Sequence, residues 1–103
     1  MGQFAPNLSD TLQLEVPASA ATVVCNNTTT LLILNPASAL AALTVTLPQN
    51  PLDGQRITIS SGALITILTL NGGTIKGGIS TLALNGFARY AYSLTANAWF
   101  RTG

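Results

Sequence analysis

The sequence predicts an all-β fold: an antiparallel β-sandwich, a barrel or a β-prism-like domain of about nine short strands. Three observations point there. Apolar and polar residues alternate with period two in several short runs. Turn residues (Gly, Pro, Asn and Asp) punctuate those runs every 8–12 residues or so. Only 36–42, PASALAA, carries helix-forming residues, and it runs straight into the β-branched Thr44-Val45-Thr46. It reads as a loop or a single turn. Short, evenly spaced strands also suit a β-solenoid, although no sequence repeat is visible.

In chain order, residues 1–10 lack periodicity and contain Gly2, Pro6 and Asn7. They read as an extended N-terminal arm offering Phe4 and Leu8 as apolar contacts. Residues 11–103 form the single β domain. From Thr11, Leu12, Leu14 and Val16 fall on one face, and Thr11, Gln13 and Glu15 on the other. Pro17 ends this strand. Thr22–Cys25 is a second strand, and Asn26–Thr30 a polar turn region. Leu31–Leu34 is continuously apolar, so it predicts cover on both faces.

Leu43, Val45 and Leu47 alternate with Thr44 and Thr46. Ile57 and Ile59 alternate with Arg56, Thr58 and Ser60. Between these runs lies PQNPLDG. Pro48 and Pro51 cannot donate to a sheet, and Asp53-Gly54 is a turn dipeptide, so Pro51, Asp53 and Gly54 form a structural turn. Leu64–Leu70 carries apolar residues on both faces, with only Thr66 and Thr69 interspersed. Asn71-Gly72-Gly73 and Asn85-Gly86 read as hairpin turns. Thr74–Lys76, Ile79–Leu84, Phe87–Leu94 and Ala98–Arg101 are the remaining strand-like runs, the last two joined at Thr95-Ala96-Asn97.

Composition narrows function. The chain has 103 residues, one domain's worth. Charged residues are 7% of it and apolar residues 48%; a typical soluble domain is about 25% charged. A net charge of +1 gives little colloidal repulsion. Together with the two-faced apolar strands, this predicts a homo-oligomer, a trimer being expected, with much of its surface covered by partners.

Four scattered cations, Arg56, Lys76, Arg89 and Arg101, are a poor footprint for nucleic acid. No apolar run is long enough for a membrane-spanning helix, and no secretory or myristoylation signal is present. With no histidine, zinc sites and a serine-hydrolase triad lose their usual residue. Carboxylates are limited to Asp10, Glu15 and Asp53, too dispersed for calcium. Neither Gly72-Gly73 nor Gly77-Gly78 is followed by the Lys-Ser/Thr and helix of a phosphate loop. No enzyme, metal or cofactor is therefore expected. Cys25, alone, reads as a small buried hydrophobe. The late aromatics and their arginines offer interface residues: Arg89, Tyr92, Trp99 and Arg101 join Phe4 and Leu8 as candidates. A sugar-binding aromatic platform is the competing reading.

Residues 43–103 resemble a known kind of module. LPQNPLDGQRITISSG, LTLNGG, the late ARYAYSLTANAWFR and a closing glycine resemble a β-structured module of tailed-bacteriophage virion proteins, found in tail-fibre tips and in head decoration (cement) proteins. The features carrying it are Pro48, Pro51, Asp53, Gly54, Gln55, Asn97, Trp99 and Phe100. The resemblance implies a virion structural component, often trimeric, with no catalytic residue. It implies the major capsid protein or another virion protein as partner, synthesis in the bacterial host cytoplasm, and a final location on the capsid surface. A tail fibre or tail-tip component for host adsorption is the alternative. Heptads and collagen-like triplets are not seen in these residues, which favours decoration. Outside the class stand a carbohydrate-binding module and a small β-enzyme.

Overall fold

The computed structural model describes residues 11–103. The expected arm, with Phe4 and Leu8, lies outside the described residues. The described chain is all-β, with nine strands. They are β1 (Leu12–Glu15), β2 (Thr22–Val24), β3 (Leu31–Leu34), β4 (Leu40–Thr46), β5 (Arg56–Ser61), β6 (Ile65–Asn71), β7 (Thr74–Lys76), β8 (Phe87–Ser93) and β9 (Ala98–Arg101).

The pairing corrects the antiparallel expectation. One sheet runs β1-β3-β5-β8-β9-β7 and the other β2-β4-β6. Strands β1, β3 and β5 are parallel neighbours, as are β2, β4 and β6. The chain therefore winds three times between two sheets, in the manner of a β-solenoid: β1–β2, β3–β4, then β5–β6. Antiparallel pairing joins β5 to β8 and β8 to β9, while β7 is parallel to β9. Turn signals mislead here. Asn71-Gly72-Gly73 connects β6 in one sheet to β7 in the other, so it is a corner rather than a hairpin. Residues 79–84 supply only an antiparallel bridge, Ile65 to Leu82, which covers the free edge of β6. The helix-forming residues Leu40–Ala42 begin β4. Burial of Leu40 and its pairing with Ile65 outweigh a helix propensity of a few tenths of a kcal/mol per residue.

Inward side chains of both sheets make one core. Leu32, Leu34, Ile57 and Ile59 face Val23, Leu43, Val45 and Leu68, with Tyr90 and Trp99 closing the β8–β9 side. Strand β1 inverts this pattern. Leu12, Leu14 and Val16 are 57%, 56% and 67% exposed, while Gln13 and Glu15 are half-buried. Gln13 replaces apolar packing with hydrogen bonds. Its Nε2 donates to Val24 O at 2.9 Å and Glu15 Oε2 at 3.0 Å. Its Oε1 accepts from Asn26 N at 2.9 Å and from the buried Thr29 Oγ1 at 2.8 Å. The first coil is thus closed by a polar knot.

Candidate functional site

Two surfaces carry the molecule's candidate functional residues. The first is the outward face of the six-stranded sheet. Parallel register sets Leu12 beside Leu31 and Leu14 beside Ile33; Ser60 and Phe87 continue the second row across β5 and β8. Leu31 and Ile33 are half-buried, and Phe87 is 50% exposed. Apolar side chains therefore start at β1, the edge strand among the described residues, and continue onto β3, with Ser60 between them and Phe87. Farther along lies Arg89, whose guanidinium sits 5.1 Å from the centre of the Phe87 ring, within cation–π range.

The second surface is a cleft of about 590 Å3 at the ends of β4, β6 and the β8–β9 hairpin. Local chemistry fixes each wall. The PQNPLDGQ loop is stitched in place: Gln49 N and Asn50 N both donate to Asn27 Oδ1, and Gln55 Nε2 donates to Asn27 O. Gly54 takes φ of +80°, and Asp53 Oδ1 accepts from Leu94 N at 2.8 Å, tying the loop to the end of β8. Gly72 and Gly73 turn the corner at φ of +117° and +95°. A Cβ on Gly72 would lie 3.0 Å from Leu47 N, so only glycine allows this close approach. In the hairpin, Asn97 adopts φ of +52°, a conformation Asn tolerates better than most residues. Its Oδ1 accepts from Tyr92 Oη at 2.8 Å. Tyr92 and Trp99 are directly opposed across the hairpin, with ring centres 5.3 Å apart and planes tilted by 58°.

The interface residues expected from the sequence are split between these surfaces. Arg89 is exposed on the outer sheet face and Tyr92 lines the cleft. Arg101 is exposed, and its Nε donates to Gly103 O at 3.0 Å. Trp99 corrects the expectation. It is 1% exposed and belongs to the chain's own core, because the hairpin folds its indole beneath Tyr92. Trp99 Nε1 is nonetheless a buried donor without a hydrogen-bond partner among the described residues. The sequence reading missed Gln49, Asn71 and Gln13; nothing local to them signals convergence.

Among the described residues, no three of His, Cys, Asp and Glu come together in a group able to hold a metal. Cys25 is a free, buried thiol. Burial, aided by the negative charge of Glu15, pushes its pKa up to about 12, so it is a poor nucleophile at neutral pH. Burial also pushes the Tyr90 hydroxyl up, against the opposing charge of Arg101. No helix among the described residues is long and apolar enough to cross a membrane. No protein-family model matches the chain, and no curated protein matches it significantly. Fold and surfaces define a class, an all-β protein of three parallel coils closed by an antiparallel hairpin, with an apolar outer row and an uncharged cleft.

Proposed function

We propose that the protein is a structural component of a phage virion: a capsid decoration protein that binds the outer capsid surface and stabilises the shell as a homotrimer. The observation that carries this reading is the outward apolar row on β1, the edge strand of the six-stranded sheet among the described residues. Edge strands left open to water usually carry charge, proline or a bulge. Here the outward side chains are Leu12 and Leu14, with Val16 just past the end of the strand, each more than half exposed. With Leu31, Ile33 and, across Ser60, Phe87, they expose apolar area on the order of 400–500 Å2, within the range of a monomer's largest patch and about half of the ~800 Å2 that one partner gives a standard interface. Self-association on this row brings few like charges together. Among the described residues the outward cation beside the row is Arg89, whose guanidinium lies 5.1 Å from the Phe87 ring; it sits on β8, three strand positions from β1, or about 14 Å.

Scarce charge supports the same reading, since a surface built from Thr, Asn, Ser and Gly suits repeated packing better than free solution. The virion assignment rests on the resemblance of residues 43–103. Repetition over a shell multiplies a modest gain per copy. Light scattering after size exclusion tests the oligomer. A trimer that dissociates on Leu14→Lys is expected, and a well-folded parent monomer at micromolar concentration refutes it. Phage particles lacking the protein test the role: they should assemble, fail at lower temperature and recover on adding it back. Particles of full thermal stability that cannot adsorb to host cells would instead favour a tail-fibre role.

A further inference from the structure

We propose that the cleft beside the β8–β9 hairpin is a binding site for a neutral saccharide. This goes beyond assembly and uses a different surface: β9 lies four strand positions from β1 in the same sheet, about 19 Å. The cleft's volume of about 590 Å3 falls in the range of small-ligand sites. Among the described residues, none that lines it is charged. It therefore offers nothing to compensate a phosphate, sulfate or carboxylate, whose recognition draws on Arg, Lys or a helix terminus.

What lines it instead are carboxamides and hydroxyls, chiefly those of Gln49, Asn71, Asn97 and Thr74. Each carboxamide both donates and accepts, and so does each hydroxyl. A sugar hydroxyl has the same dual character, so such walls suit a polyol better than a purely donating or accepting ligand. Gly73 also lines the cleft, and a Cβ built there would meet nothing within 4 Å, so the backbone is uncovered at this point. Tyr92, half-buried, supplies an aromatic ring with a polar tip, the amphipathic surface on which a pyranose C–H face packs. The second, independent observation is Trp99. Its indole also lines the cleft, it is 1% exposed, and its Nε1 is a buried donor with no partner among the described residues. Buried donors are nearly always satisfied, and a ligand hydroxyl drawn into this wall would satisfy this one.

The full chain has a single tryptophan, so its emission reports on the cleft directly. The probes are maltotriose, mannotriose and N,N′,N″-triacetylchitotriose, with trigalacturonate as the anionic comparator, each titrated by fluorescence and calorimetry. At least one neutral trisaccharide should bind saturably, with a Kd of about 5 mM or tighter, and shift the Trp99 emission. Asn71→Ala and Gln49→Ala change exposed side chains and leave the core intact; each should weaken binding roughly tenfold, the loss of one or two hydrogen bonds. Arg89→Gln, on the outer sheet face, should leave binding unchanged. The proposal fails if no neutral trisaccharide binds at about 20 mM, if trigalacturonate binds best, or if both cleft variants bind as the parent does.

Discussion

Gln13→Ala should destabilise the protein more than Leu14→Ala, the reverse of what their side chains suggest. Gln13 makes four hydrogen bonds within the first coil. Three of the groups it touches, Asn26 N, Val24 O and the Glu15 carboxylate, are partly open to water, so each loss costs about 0.5 kcal/mol, the low end for a net hydrogen bond. Thr29 differs. It is 1% exposed, and the Gln13 oxygen is its hydroxyl's acceptor at 2.8 Å. Stranding that donor costs about 1–3 kcal/mol. The total is about 3 kcal/mol, or roughly 10–25 °C in Tm for a domain of this size. Leu14, already 56% exposed, loses little on truncation within one subunit, ~1 kcal/mol or less. Urea unfolding followed by Trp99 emission gives both values. The Gln13→Ala/Thr29→Ala double-mutant cycle should show coupling of about 1–2 kcal/mol. A Gln13→Ala cost below ~0.5 kcal/mol, or a larger cost for Leu14→Ala in dilute monomer, refutes the inverted first strand. If the Leu14→Ala cost grows with protein concentration, the extra belongs to a subunit contact.

Two glycines separate backbone strain from collision. A Cβ at Gly54 meets no atom within 4 Å, so Gly54→Val should cost chiefly the positive-φ strain, about 1–2 kcal/mol, whereas a Cβ at Gly72 also presses on the Leu47 backbone and Gly72→Val should lower Tm further; equal melting temperatures for Gly54→Val and parent would count against the Asp53-Gly54 turn. For Cys25, the folded thiol holds its proton up to about pH 12, while the unfolded thiol loses it near pH 9. The folded state thus binds more protons between those values, and stability should fall there as pH rises, by up to ~1.4 kcal/mol per unit. Cys25→Ala should flatten that part of the curve; an identical profile in the variant contradicts it. Elemental analysis should find no stoichiometric zinc or calcium, as the lack of histidine and the dispersed carboxylates imply.

Much of the strand inventory is legible because alternation is a local property. Ile57 and Ile59 are inward and buried on β5, as the pattern in 56–60 implies. Partner choice is not local. Asn71-Gly72-Gly73 has hairpin chemistry, but its strands lie in different sheets; Thr95-Ala96-Asn97 joins strands that do pair. The coils are unequal, as the register Leu12–Leu31–Thr58 shows, so no fixed period marks them in the sequence. Period two also defines two faces without saying which is inside. In β1 the polar face is inward because Asn26 and Thr29, distant in sequence, converge on Gln13. The cleft hides for the same reason. Gln49 and Asn97 come from separate loops and Asn71 ends β6, and each alone reads as a turn residue.

The interior changes character along the coil, and this links stability to the two surfaces. The first coil is closed by Gln13 and its hydrogen bonds, the middle coils are filled by Leu32, Leu34, Ile57 and Ile59, and the β8–β9 hairpin ends the core with Tyr90 and Trp99. A hydrogen-bonded end holds its shape without apolar cover, so Leu12 and Leu14 can face outward for a partner without loosening the core beneath them. An aromatic end does the opposite. It buries large side chains, and the Tyr90 hydroxyl donates to Gly77 O at 3.0 Å, but the indole N–H finds no acceptor among the described residues. That unsatisfied donor costs stability which a shorter side chain would avoid. Its place in the wall of an uncharged, carboxamide-lined cleft makes the cost intelligible as part of a binding site.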